Sequence, residues 1–264
     1  VLSGVDPRVA SEADTRIELS AIYTSLSTTE PEVAEKARSR GHAELVEPQQ
    51  GARRLSALAQ LNRHERLVML GDPGSGKSTF VNFVAQCLCG QALGHATINV
   101  QRLTEPQPVD DDDRESEGPR PQPWDQAELV PVIVTLREFA ARGLPPDGQA
   151  ANAQHLVNFI KAQLADTPVA EFAGHLEQQW FAGCLVLLDG LDEVPGAHQR
   201  RAQIKQAVED FATTFGQARL LVTSRTYAYQ RQDWQLNDFA VAELAPFSRA
   251  QINLFVERWY AHIG

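Results

Sequence analysis

Gly71-Asp72-Pro73-Gly74-Ser75-Gly76-Lys77-Ser78-Thr79 follows the apolar run Leu67 to Leu70 and precedes a stripe of helical spacing, Phe80, Val81, Phe83, Val84, Cys87 and Leu88. The run fits the pattern G-x-x-x-x-G-K-[ST], and a strand before it with a helix after it is the context the pattern requires. Glycines let the backbone turn tightly enough for successive N–H groups to surround a β-phosphate, while the new helix directs its positive end at the same oxygens. Lys77 adds a point charge between the β- and γ-phosphates. Ser78 offers a hydroxyl to Mg²⁺, a hard ion that prefers octahedral oxygen ligands and arrives with the nucleotide. Residues 71–79 are therefore the candidate phosphate-binding set. The plain alternative is a glycine-rich strand-to-helix turn. With Lys36, Lys77, Lys161 and Lys205 the only lysines, a chance match is on the order of a few per thousand.

Such a loop needs an acid on the opposite side of the ion, reached through its water shell. Cys184-Leu185-Val186-Leu187-Leu188-Asp189 places Asp189 at the carboxyl end of a buried strand, where ligand crevices of open α/β sheets lie. Asp192 and Glu193 follow. Three carboxylates so close in sequence repel one another unless solvated or bound to a cation, so a metal and water site is expected there rather than a surface charge run. Either Asp192 or Glu193 is placed to act as a general base or to orient a water.

The remaining runs, Val130 to Leu136, Arg219 to Val222 and Phe239 to Leu244, have the length and β-branching of buried parallel strands. Helical stripes alternate with them: Leu156, Phe159, Ile160 and Leu164, then Ile204, Ala207, Val208 and Phe211. Right-handed crossovers follow from that alternation. The expected fold is α/β, a three-layer P-loop NTPase with a central parallel five-stranded sheet flanked by helices. Before it, Ile17 to Tyr23 reads as a short strand, Pro31 opens a helix through Glu32 to Arg40, and Leu55, Leu58 and Leu61 have helical spacing. Thr104 to Glu128 is rich in proline and aspartate, with Asp110 to Asp113 consecutive, and reads as a solvated insertion without a core face. Ser248 and Gln251 form a capping box, with Phe247 and Ile252 as its staple, so a helix starts at Arg249. Its apolar face, Ile252, Phe255, Val256 and Trp259, is expected to dock on this domain or on a further one. The expected division is a partly helical lead-in over 1–54, a nucleotide-binding domain over 55–247 with its insertion at 104–128, and the start of a helical domain over 248–264.

Composition bounds the partners. A chain of 264 residues allows one full domain and a small satellite, and 43% hydrophobic content needs neither staple nor membrane to fold. The 24 basic and 34 acidic residues leave a net charge of -10, which gives no broad positive field for a nucleic-acid backbone. No direct nucleic-acid partner is expected. Cys87, Cys89 and Cys184 are too few and scattered for a disulfide framework and fit a reducing compartment. No apolar stretch approaches the roughly 20 residues that span a bilayer, so no membrane partner and a cytoplasmic location are expected. The start lacks an initiator methionine, and the chain is expected to be a piece of a longer protein. Cys87 and Cys89 point apart on their helix and are expected to pack, the seven histidines show no ligand spacing, and Trp180 and Trp234 are expected in the core or at a domain contact.

Asp189-Gly190-Leu191-Asp192-Glu193, with a small residue directly after the metal-side aspartate and two acids beyond it, resembles the Walker B segment of NACHT NTPases in the STAND class. Most AAA-type motors place a glutamate beside that aspartate. The resemblance extends to Pro131-Val132-Ile133-Val134-Thr135-Leu136-Arg137, which is similar to the strand after the P-loop helix, and to Leu221-Val222-Thr223-Ser224-Arg225, which looks like sensor 1. It covers about Leu55 to Trp259, and Ile17 to Leu26 is similar to the lead-in of bacterial NACHT proteins.

The resemblance implies ATP or ADP as ligand, with Mg²⁺ at Ser78 and Asp189, and slow regulatory hydrolysis carried by Lys77, Asp192, Glu193 and Arg225. In that family Arg225 reads the γ-phosphate. ATP then favours an open, self-associating state, and effector and sensor domains lie on the rest of the same polypeptide, with a bacterial antiphage defence role. The helical-domain proline and winged-helix histidine that hold ADP in STAND proteins have no counterpart up to Gly264. Two other classes compete: an ATP-driven AAA-like motor or chaperone, against which Gly190 argues, and a non-hydrolysing scaffold stabilised by nucleotide. A P-loop kinase is weaker still, with no second substrate site or lid in evidence.

Overall fold

The structure, a computed structural model, describes residues 19–29, 55–110, 120–126, 128–165, 167, 170–194, 198–230 and 235–263. Each of the apolar runs is a strand. In chain order the strands are β1 (Ser27–Thr29), β2 (Leu55–Ser56), β3 (Arg66–Leu70), β4 (Val130–Thr135), β5 (Cys184–Asp189), β6 (Arg219–Ser224) and β7 (Ala240–Leu244). They form one sheet of order β2-β1-β7-β3-β6-β5-β4. From β7 to β4 every pairing is parallel. The expected five-stranded parallel sheet is thus present, extended to seven strands by β1 and β2, which pair antiparallel at the β7 edge. These two are short and polar, so hydrophobic periodicity gave no sign of them.

The alternation of side chains along each strand divides the core in two. Val68, Leu70, Val134, Val186, Leu188, Leu220 and Val222 face the helices Leu136–Arg142, Ala153–Ala165, Phe172–Ala182 and His198–Thr214. Leu67, Met69, Leu185, Leu187, Leu221 and Ala242 face Ala57–Arg63 and Lys77–Ala92. Parallel strands covered on both faces have no polar side to spare, which is why β5 and β6 are almost unbroken apolar runs. Fully buried leucines such as Leu185, Leu187 and Leu221 each contribute about 1.5–3 kcal/mol by removal from water. Trp180 is in this core, edge-on to Phe211 at 5.5 Å; Trp234 lies outside the described residues.

Several expectations change. Residues 19–22 form a helical turn, Leu19–Ile22, not part of a strand. Leu19, Ile22 and Tyr23 recur at helical spacing, and the Tyr23 ring stacks on Phe83 of the helix Lys77–Ala92 with 3.7 Å between centroids. Leu55 belongs to β2, while Leu58 and Leu61 are buried on the helix Ala57–Arg63. That short helix is held at both ends: Ser56 Oγ accepts from Ala59 N–H at 2.9 Å, and Arg219 Nη2 donates to the carbonyls of Leu61, Asn62 and His64 at 2.8–2.9 Å. The strand from Val130 ends at Thr135, and Leu136 opens a helix. The helix expected over Glu32 to Arg40 lies outside the described residues.

The insertion is less solvated than its composition suggests. Trp124 packs against the core, buried Gln122 donates to Glu105 O at 2.6 Å, and Gln107 donates to Leu26 O at 3.0 Å. Amide side chains that find backbone acceptors bury without penalty, which a count of polar residues does not register. Asp110 Oδ1 accepts from Ala250 N–H at 2.6 Å, at the start of the helix Arg249–Ile263; Asp111 to Asp113 lie outside the described residues. That helix carries both capping-box bonds between Ser248 and Gln251. It docks by its polar side: Gln251 Nε2 donates to Ser25 O at 2.6 Å, and Arg258 donates to Tyr23 O and pairs with Glu105 at 3.0 Å. Of the face expected to dock, Ile252, Phe255 and Val256 are exposed and Trp259 is partly buried. Among the described residues no helix is long and apolar enough to cross a membrane.

Candidate functional site

The chain leaves β3 for β4, at the far edge of the sheet, returns through β5 and β6, and crosses β3 to reach β7. The strand order therefore reverses around β3, which opens a crevice at the carboxyl ends. The register brings three ends level there: Leu70 is opposite Ser224, and Val222 is opposite Leu188. Gly71 N–H donates to Ser224 O at 3.2 Å. One strand, β6, separates the end of β3 from Asp189, a span of about 10 Å at the usual strand spacing.

The loop after β3 turns at Asp72 to Ser75, whose N–H donates to Asp72 O at 3.1 Å. Gly76 then adopts φ 91° and caps the helix Lys77–Ala92. A side chain in this left-handed region costs about 1–2 kcal/mol, and the position where a Gly76 Cβ would stand is already 3.5 Å from the Leu26 methyls. The N–H groups of Lys77, Ser78 and Thr79 lie in the first turn, where a helix offers them no acceptor, so they present donors and a positive dipole end. Asp72, Pro73, Gly74 and Ser78 are exposed, and Ser75, Gly76, Lys77 and Thr79 partly so.

Lys77 Nζ folds onto its own loop, donating to Gly71 O at 2.6 Å, Asp72 O at 3.1 Å and Ser75 Oγ at 3.3 Å. Half-burial pushes its pKa below the ordinary lysine value, Asp192, Asp189 and Asp72 pull it back up, and Arg225 pushes it further down. Apart from Asp72 of its own loop, the groups that act on Lys77 lie at or just after the ends of β5 and β6, at the same end of the sheet.

Of the three acids, Asp189 and Asp192 are each held by a different partner. Asp189 lies on the P-loop-helix face of β5 and accepts at Oδ1 from Thr223 Oγ1 at 2.5 Å. Gly190 takes φ 83° and starts a 3₁₀ turn over Leu191–Glu193. Asp192 Oδ1 accepts from Arg225 N–H at 2.9 Å, and its Oδ2 lies 2.8 Å from Arg225 Nε. Glu193 is exposed. Asp189 and Asp192 thus take different partners at and just beyond the end of β6, and among the described residues no three His, Cys, Asp or Glu side chains gather as a metal cage. Mg²⁺ does not require one. It keeps most of its waters and uses one or two carboxylates with phosphate oxygens, so Asp189 and the exposed Ser78 hydroxyl form a donor set that suits the ion.

Sequence reasoning named Thr223 only as part of a longer string. The signal was available in strand parity: on β6 it follows Leu221 on the same face, and that face also carries Leu185, Leu187 and Asp189 on β5. Leu26, beside Gly76, was not legible, because its approach depends on the pairing of β1 with β7.

A family model described as the NACHT domain matches residues 121–262. The match includes β4 to β7 and hence Asp189, Asp192, Glu193, Thr223 and Arg225. The loop over 71–79 lies before it and is joined to it by the parallel pairing of β3 with β6 and β7. A comparison with curated proteins gave no match.

Proposed function

The chain belongs to the NACHT family, an NTPase module of the STAND and NLR type, and from that premise we propose that it is an ATP-binding, slowly hydrolysing switch. The observation that carries this reading is the convergence of Lys77, Asp189, Asp192 and Arg225 at one end of the sheet, with Lys77 within electrostatic reach of the other three. The helix amides and Lys77 would bind the β- and γ-phosphates. Ser78 and Asp189 would hold Mg²⁺, which neutralises charge on the phosphate oxygens.

Hydrolysis forms a bond between a water oxygen and the γ-phosphorus as the bond to the β,γ-bridging oxygen breaks, and the water proton passes to a base. The Asp192 side chain is buried and keeps the Arg225 backbone N–H on its Oδ1, whereas Glu193 is exposed, so Glu193 is the base in this reading. Arg225, with a side chain 51% exposed against 7% for Asp192, would exchange that carboxylate for the γ-phosphate. ATP and ADP then bind the paired and unpaired states with different affinity, and only such a difference shifts a conformational equilibrium. ATP would favour self-association, and hydrolysis would reset it.

The division at 54 and 247, effector and sensor domains on the same polypeptide, a cytoplasmic location and a role in bacterial antiphage immunity belong to this proposal through the family. The test is nucleotide binding and turnover with Mg²⁺, together with particle size by light scattering in ADP and in a slowly hydrolysed ATP analogue. Lys77→Ala should abolish binding. Unchanged ATP affinity in that variant would reject the loop assignment, rapid turnover without a size change would favour a motor, and equal stabilisation by ADP and ATP without a size change would favour a scaffold.

A further inference from the structure

Thr223 is fully buried, with Leu187, Leu221 and Met69 around it equally buried. A valine has the same shape and would satisfy that packing. The hydroxyl is therefore present for its bonds, and it makes two: it accepts from Gly190 N–H at 2.9 Å and donates to Asp189 Oδ1 at 2.5 Å. One atom thus fixes both the carboxylate at the end of β5 and the first peptide of the turn that carries Asp192 and Glu193. The bond to Oδ1 fixes the plane of the Asp189 carboxylate, so Thr223 sets the orientation in which it would face an ion's water shell.

We propose that Thr223 is the positioning residue of the metal-side carboxylate, so that Mg²⁺ affinity depends on a hydroxyl that never touches the ion. The assignment rests on the ATP and Mg²⁺ reading given above. Outer-shell partners of metal-binding groups typically contribute about 10- to 100-fold in metal affinity. A purely structural role would instead lower stability and weaken nucleotide binding with and without the ion alike.

The experiment compares the 264-residue chain with Thr223→Val and Thr223→Ser. A fluorescent ATP analogue is titrated in EDTA, and Mg²⁺ is then titrated at fixed analogue, with thermal melting recorded in EDTA for each protein. Thr223→Val should leave affinity in EDTA within about twofold and raise the Mg²⁺ midpoint about 10-fold or more, and Thr223→Ser should return it to near the original value. If Thr223→Val does not fold, Thr223→Ala is judged by the same midpoint. An unchanged midpoint in a folded variant overturns the assignment, as does an equal loss with and without Mg²⁺; both leave the ATP reading standing. If the unaltered chain binds no nucleotide under any condition, the ATP reading fails first and the assignment with it.

Discussion

Arg225 and Asp192 hold each other twice, through the arginine's backbone N–H at 2.9 Å and its Nε at 2.8 Å. The backbone bond ties the carboxylate to the end of β6, and the side-chain bond is the one a phosphate can replace. An arginine hydrogen bond to an anion is among the stronger polar contacts. Arg225→Ala should therefore lower ATP affinity by about 10- to 100-fold, the equivalent of about 1.4–2.8 kcal/mol, and leave ADP affinity nearly unchanged. Calorimetric titration of both nucleotides checks it. Equal losses would mean that Arg225 supports the site as a whole without reading the γ-phosphate.

Arg225 holds Asp192, whereas Glu193 is exposed. Glu193→Gln should keep ATP binding and reduce turnover by about 100-fold or more, the usual contribution of a positioned base. Asp192→Asn should act on binding instead, since it weakens the grip on Arg225. Single-turnover hydrolysis with binding measured in parallel separates the two. Persistent turnover in Glu193→Gln would shift the role to Asp192.

Much of this was legible in the chain because parallel strands buried on both faces must be apolar and their loops must carry the polar chemistry. Gly71 to Thr79 and the acid after Leu188 could be placed on a sheet end before any coordinates. What escaped was set by non-local pairing. The spacing of Asp189, Asp192 and Glu193 gave no sign that Thr223 on β6 and Arg225 just after it would bind the first two. The helix from Arg249 was read from its cap, but its docking side was assigned to the apolar stripe. Glu105, the carbonyls of Tyr23 and Ser25, and the carboxylate of Asp110 are the acceptors that decide otherwise.

That polar docking makes the last helix a separable unit. Arg258 and Gln251 reach backbone carbonyls next to Tyr23, whose ring stacks on the P-loop helix. Arg258→Met keeps the aliphatic stem and removes the charged donors, at a cost of about 1.5–3 kcal/mol for bonds involving a charged group. Limited proteolysis should then cut within Arg249–Ile263 sooner while the rest of the domain resists as before. A uniform loss of resistance would show that the helix and the domain unfold together.

The three cysteines give a test of the two-sided core that is independent of any ligand. Cys87 and Cys184 are fully buried, and burial pushes their thiols up to about 12 from an ordinary 9.0, whereas Cys89 is exposed on the same helix as Cys87. Partial burial of its sulfur raises the Cys89 thiol as well and slows it, so a thiol-specific reagent near neutral pH should modify Cys89 first, and the other two only on unfolding. The stability consequence has a definite sign. Above the ordinary thiol pKa the unfolded chain releases protons that the folded chain retains, so proton uptake accompanies folding and stability falls as pH rises. The contribution of these two residues is complete below about pH 9 and is lost progressively as pH rises toward 12. Lys77 acts in the opposite direction, since its lowered folded pKa makes stability rise with pH through the lysine range. Urea unfolding of the unaltered chain and of Cys184→Ala between pH 8 and 10.5, chosen as a range of about two units around the thiol value, isolates the contribution of the Cys184 thiol. The variant should be less stable at pH 8 from its lost packing and show a shallower decline with pH; parallel curves would place Cys184 in contact with water.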